Sequence, residues 1–155
     1  MDFTERYNEI MIFNTIGGQL DKISIDSVTL QMDLIQEEYL ELVEAFDNRD
    51  DIEYLDATCD LFVTVAGLMQ KLEAAGFDVA GALAKVNANN LSKFPDYDVR
   101  GSHLLYQPNN TAINVNEQYS VVVYKDVETG KIKKPTNFVP VDLSGYKIDF
   151  LKGGV

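Results

Sequence analysis

From Leu34 to Lys71 the chain reads as two helices joined by one short polar turn, Asp47-Asn48-Arg49-Asp50, and both helices carry carboxylates where a plain bundle would not place them. At about 100° per residue, Val28, Met32, Ile35, Tyr39, Leu42 and Phe46 fall on one stripe, the expected core face of the first helix. Asp33, Glu37 and Glu44 lie opposite, where water is expected. Glu38 and Glu41 lie on the flank shared with Leu34 and Ala45, three residues apart and directed at a common volume.

The second helix carries Glu53, Asp56 and Asp60 on one side, and Thr64, Gly67 and Lys71 continue that stripe. Leu55, Leu61, Phe62, Val63, Val65, Ala66, Leu68 and Met69 occupy most other positions, so this helix is expected to be largely buried. Like charges at this spacing repel, and partial burial makes the repulsion worse. A hard divalent cation, Mg²⁺ or Mn²⁺, takes carboxylate oxygens and would offset it. The alternative is a solvated acidic face, the simpler expectation for Glu37 taken alone. For Glu38, Glu41, Glu53, Asp56 and Asp60 together, a metal site is the expectation.

Charge supports the same focus. The net charge is −12 over 155 residues, and residues 1–60 hold 16 acidic against 3 basic side chains. Such a surface repels duplex nucleic acid, whose binding depends on Lys and Arg at phosphates. A free nucleotide stays possible if metal ions bridge its phosphates to the acids. The only cysteine, Cys59, and the only histidine, His103, exclude a His/Cys zinc cage within one chain. Cys59 is expected to be a small core residue, and His103 to lie in a loop. The N-terminus lacks the pattern of a signal peptide, and no apolar run approaches the ~20 residues of a membrane span. A cytoplasmic location is the default expectation.

In chain order, Thr4 is the expected cap of a first helix ending at Gly17-Gly18, and Asp26 or Ser27 caps the second, which runs to about Phe46. Asp50 or Asp51 caps the third, which runs to about Ala74 and stops at Gly76. A fourth spans Val79 to about Leu91, with Val79, Leu83, Val86 and Asn90 on its inward stripe. After Lys93-Phe94-Pro95 helical periodicity is lost. Residues 119–124 are β-rich, Glu128-Thr129-Gly130-Lys131 signals a turn, and Ile132 is placed to start the return strand of a hairpin. The expectation is an all-α four-helix bundle domain over residues 1–95. A C-terminal extension over 96–155, irregular or a β-hairpin, would pack on the bundle or on a partner subunit. Its lysines, Lys125, Lys131, Lys133, Lys134, Lys147 and Lys152, read either as a solvated face or as a basic flap near phosphates, the former favoured.

With these residues in view, the chain resembles the all-α nucleotide pyrophosphohydrolases: MazG-like proteins, dimeric dUTP and dCTP pyrophosphatases, and phosphoribosyl-ATP pyrophosphohydrolases. Their pattern is ExxE on one helix and ExxD on the next. Glu38-Tyr39-Leu40-Glu41 matches the first, preceded by Glu37, and Asp60-Leu61-Phe62 matches the end of the second. Asn90-Leu91-Ser92-Lys93-Phe94-Pro95 is similar to the Asn-x-x-Lys-Tyr/Phe-Pro that often follows in MazG-like chains. Phe13-Asn14-Thr15-Ile16-Gly17, Thr129-Gly130-Lys131, Lys134-Pro135 and Pro140-Val141-Asp142 resemble features of phage-type members. One departure stands out: Ala57 replaces the Glu expected three before Asp60, with Asp56 and Glu53 the nearest acids on that side.

The resemblance implies Mg²⁺-dependent hydrolysis of a nucleoside triphosphate to the monophosphate and pyrophosphate. It implies Glu38, Glu41 and Asp60 as metal ligands, completed by Glu53 or Asp56, with Glu37 or a ligand carboxylate orienting the attacking water. Asn90 and Lys93 would contact phosphate. Tyr39, Tyr54 or Phe94 could stack on a base, although aromatics at helical spacing are more often core. A homodimer or homotetramer is expected. Phosphoribosyl-ATP hydrolysis is a second enzymatic reading, and an inactive helical scaffold of the same fold a third.

Overall fold

The computed structural model describes residues 2–97 and 109–152; His103 lies outside them. Four helices are present: α1 (Phe3–Ile16), α2 (Ile25–Asn48), α3 (Asp51–Ala74) and α4 (Val79–Leu91). One antiparallel pair of strands follows, β1 (Thr111–Asn116) and β2 (Val121–Asp126). The fold is thus mostly α with a β-hairpin. No described helix is long and apolar enough to cross a membrane. The chain forms two compact units, residues 1–79 with 146–155, and residues 80–145. The first holds α1 to α3. All but the first residue of α4 clusters with the strands, so the contact boundary falls before α4, whereas sequence texture changes after it.

Short polar side chains start the helices of the first unit. Asp2, not Thr4, caps α1: its carboxylate accepts from the backbone N–H groups of Thr4 and Glu5. Ser24, not Asp26 or Ser27, caps α2. Ser24 and Ser27 each accept, through the side chain, from the other's backbone N–H, which satisfies two free donors at once. Arg49 takes the left-handed conformation, φ 56°, to turn the chain, and Asp50 accepts from Ile52 and Glu53 N–H to open α3. The turn past α3 closes at Gly76, where φ of 103° excludes most other residues.

α2 packs along α3, and α1 packs on α3. The line of α2 that faces inward is Val28, Gln31, Ile35, Glu38, Leu42 and Ala45, with Val28, Gln31 and Ala45 fully buried. This corrects the expected core stripe. Met32, Tyr39 and Phe46 are more than half exposed. The apolar arc of α2 is wider than one neighbour can cover, and α3 sits on its small-residue edge. The buried positions of α3 are likewise small or polar: Ala57, Ala66, Gly67, Gln70 and Lys71. The expectation of an all-round buried α3 fails for the same reason, with Ile52 79% and Leu55 65% exposed and Cys59 on the surface.

Polar side chains fill the middle of this unit. Asn14 donates to Gln70 Oε1 at 2.8 Å, and Gln31 donates to the Thr64 carbonyl at 2.9 Å. Lys71 is 1% exposed and donates to the backbone and side-chain oxygens of Gln19 at 2.9 and 3.3 Å. Burial pulls the Lys71 ammonium pKa down. Gly67 lets these amides approach: a Cβ there would sit 3.0 Å from Gln31 Nε2 and 3.4 Å from Asn14 Nδ2.

In the second unit β2 is central. β1 pairs along one edge, Thr111 opposite Asp126 through Asn116 opposite Val121. On the other edge Val122 N–H reaches the Pro95 carbonyl and Lys133 N–H the Tyr124 carbonyl, both at 2.8 Å. Val122 and Tyr124 are consequently fully buried. The hairpin partner of the β-rich segment therefore lies upstream, and Ile132 contributes a single bridge to Lys125 instead of a return strand. Asp126 organises the following turn. The backbone N–H of Thr129, its hydroxyl, the Lys133 ammonium and the Glu128 N–H hold the Asp126 carboxyl at about 2.

Gly67→Ala tests the close approach in the first unit. Overpacking of this kind costs about 1–3 kcal/mol, and better helix propensity returns up to ~1 kcal/mol. Urea denaturation is expected to show net destabilisation; a more stable variant would mean that the Gln31 amide steps aside freely.

Candidate functional site

The packing of α2 on α3 sets Glu38, half-buried, on the line of α2 that also holds the buried Ala45, as its flank position predicts, whereas Glu41 is exposed. The Glu38 Oε2 is shut off from solvent and has no hydrogen-bond donor. Burial is the largest cause raising the Glu38 carboxyl pKa; the charges of Glu41, Asp60, Glu37 and Asp56, in that order, raise it further. Five carboxylates from two helices therefore act on one volume. The small Ala57, buried against α2, sits one position from Asp56. Glu41, Asp56, Asp60 and Glu37 are themselves exposed, so they border that volume from the solvent side.

A buried carboxylate oxygen without a donor, ringed by more carboxylates, is a costly arrangement. A proton on Glu38, which its raised pKa favours, relieves it, and an all-oxygen anionic donor set is also of the kind that suits a hard cation. Among the described residues, no three His, Cys, Asp or Glu side chains close into a formed cage. Mutual repulsion favours splayed rotamers when no positive charge lies between them.

Of the acids predicted for this site, Glu41, Asp60, Glu37 and Asp56 act electrostatically on Glu38, without any three of them being grouped closely enough to hold a metal. Glu53 is not among the groups acting on Glu38. It lines a hollow of about 360 Å³ at the α2–α3 turn, with Glu41, Glu44, Asn48 and Asp50. Between the two acids offered in place of the missing Glu, Asp56 is the one within electrostatic reach of Glu38.

Asn90 and Lys93 belong to the second unit. Lys93 donates to Asn90 Oδ1 at 2.8 Å, so the two are one cluster. Asn90 is exposed, which corrects its expected inward position. The neighbouring Asn89 makes the tertiary contact instead, donating to the Val139 carbonyl at 2.7 Å. Among the aromatics considered for stacking, Tyr39 is exposed and Tyr54 meets Phe46 at 6.0 Å between centroids. Phe94 lines an apolar hollow of about 430 Å³ with Leu91, Tyr119, Val121 and Val123. Sequence periodicity alone missed this hollow, because four of its lining residues, Asn116, Tyr119, Val121 and Val123, come from a hairpin whose pairing was misplaced.

No protein-family model, curated protein or solved structure matches this chain. The geometry of the carboxylates therefore carries the functional argument by itself.

Glu38 has a sign that can be checked. Its folded pKa lies above the unfolded value, so the folded state holds the proton more tightly. That contribution favours the fold at low pH and is lost as pH rises through the interval between the two values. Without metal, Glu38→Gln is expected to melt higher than wild type at about pH 7 and to lose that advantage near pH 4. Equal or lower melting of the variant at pH 7 would show that Glu38 is relieved in some other way.

Proposed function

We propose that this chain is a Mg²⁺- or Mn²⁺-dependent nucleotide pyrophosphohydrolase, cleaving a nucleoside triphosphate to the monophosphate and pyrophosphate. The observation that carries the reading is the orphaned Glu38 oxygen amid the carboxylates of Glu41, Asp56 and Asp60. The order of ExxE, the Asp of the next helix and Asn-x-x-Lys-Phe-Pro is similar to that of MazG-like enzymes, which makes dUTP or dCTP the first substrates to try.

In this reading Glu38, Glu41 and Asp60 hold the cation, with Asp56 ahead of Glu53 as the fourth acid. The bound cation supplies charge neutralisation and a more acidic water, the two requirements of phosphoryl-type displacement. Glu37, exposed and adjacent to Glu38, would accept a proton from water at a carboxylate oxygen. The resemblance assigns Lys93 and Asn90, a bonded pair of the second unit, to phosphate contact. The exposed apolar arcs of α2 and α3 suit pairing of subunits as a homodimer or homotetramer. A cytoplasmic setting with free nucleotides fits the acidic charge.

The test is turnover of a nucleotide panel with Mg²⁺, read by separate assays for pyrophosphate and phosphate. One pyrophosphate per nucleotide is expected, with loss in chelator. Glu38→Gln and Asp60→Asn are expected to lose about 10²-fold or more in kcat with unchanged circular dichroism. Turnover retained by Glu38→Gln, or no turnover of any nucleotide, would contradict the reading.

A further inference from the structure

In the second unit, Val122 N–H and the Tyr124 carbonyl of β2 point away from β1, to Pro95 and Lys133. Residues directly opposite in an antiparallel pair turn their backbone groups alike, both into the shared ladder or both out of it. Val115 lies opposite Val122 and Ile113 opposite Tyr124, so the N–H and C=O groups of Ile113 and Val115 face outward. Among the described residues nothing bonds to them, and the sheet ends at β1. Ile113 and Val115 share a face with the fully buried Val122 and Tyr124, yet they are 47% and 41% exposed. The apolar face of the sheet thus runs uncovered to its edge. Proteins ordinarily blunt such an edge with a charge, a proline or a bulge. β1, Thr-Ala-Ile-Asn-Val-Asn, has no charge and no proline, and its register runs without a bulge.

Charge selects the strand that fits there. The chain carries −12 overall, a charge that opposes contact between copies over most of the surface. β1 is neutral, and its two ends differ in sign. Directly after Asn116 comes the exposed Glu117. At the Thr111 end the Lys133 ammonium bonds to the Asn110 carbonyl and Thr111 Oγ1, each at 3.0 Å, and pairs with Asp126 at 3.3 Å. From Lys125 to Lys134 the chain holds four lysines against Asp126 and Glu128, so this end is basic. Two copies of β1 laid antiparallel bring acidic end to basic end twice. Laid parallel, they bring like ends together.

We propose that β1 is a self-association edge, on which a second copy of this chain adds its own β1 antiparallel to make a four-stranded sheet. With Ile113 of each copy opposite Val115 of the other, Asn114 meets Asn114, and Glu117 falls opposite Thr111, at the Lys133 end. The apolar face then continues across the seam, and the outward backbone groups of Ile113 and Val115 gain partners. This edge belongs to the second unit alone. It rests neither on the hydrolase reading nor on helix pairing by the first unit.

Disulfide trapping in the full chain tests the pairing. Cys59→Ser removes the exposed native thiol. Asn114→Cys in that background sets two thiols at directly opposed positions, about 4.5 Å apart between Cα atoms, within reach of a disulfide. A covalent dimer is expected at micromolar protein with oxidised glutathione. Adding Glu117→Lys, which lies outside the strand and leaves the hairpin intact, is expected to cut its yield about tenfold, because lysine then meets the basic end. Adding Val115→Pro removes an outward N–H that the β1–β2 ladder does not use, and is expected to abolish the dimer with circular dichroism unchanged. No covalent dimer, or a dimer that Glu117→Lys leaves undiminished, would overturn the proposal. Ile113 and Val115 amides protected from hydrogen exchange in a monomer would also overturn it, in favour of another strand of the same chain.

Discussion

The close contact of α2 with α3 is the constraint from which the first unit follows. Ala45 on one helix and Ala57, Ala66 and Gly67 on the other leave room for the backbones to approach. Small residues bury little apolar area each, so this contact is not held by a large hydrophobic payload. It is held in register by the hydrogen bond from Gln31 to the Thr64 carbonyl, while Asn14 to Gln70 ties α1 to α3. Buried polar networks of this kind specify one arrangement when their members are satisfied.

That same register creates the acidic volume. Along α3 one stripe runs from Asp56 and Asp60, both exposed, through Thr64 to the buried Gly67 and Lys71, from anionic to neutral to cationic. Along α2 the sequence of groups is the exposed Glu41, the half-buried Glu38 and the buried Gln31. At the amide and lysine end every polar group has a partner: Lys71 finds both oxygens of Gln19. At the acidic end Glu38 finds none. A core that satisfies its amides so fully and leaves one carboxylate oxygen bare, among other carboxylates, has its polar deficit where a cation would bind.

Much of this was legible in the sequence. Helical spacing located α3 and α4 to within a residue or two and α2 to within about three, and the three- and four-residue spacing of the acids kept each set on one side of its own helix. The face that packs was not legible. Met32, Tyr39 and Phe46 form a better apolar stripe than Val28, Gln31, Glu38 and Ala45, and only the partner helix decides between two edges of one wide arc. Glu38, placed at the edge of burial, is half-buried. Cap choice was missed at Asp2 and Ser24 because several short polar residues compete at each helix start. The hairpin was misassigned because the turn at Glu128–Lys131 is a stronger local signal than the one at Glu117–Ser120, while pairing is settled by edges that sequence does not display.

The most direct measurement is calorimetric titration of Mn²⁺ into the wild-type chain at about pH 7 and again at about pH 5, with Asp60→Asn beside it. Saturable binding at pH 7 is expected. It should weaken at pH 5, because the proton that Glu38 holds above its ordinary range competes with the cation, and it should weaken strongly in Asp60→Asn at both. Absence of binding at either pH, or binding that neither acidification nor Asp60→Asn affects, would contradict a cation site between α2 and α3.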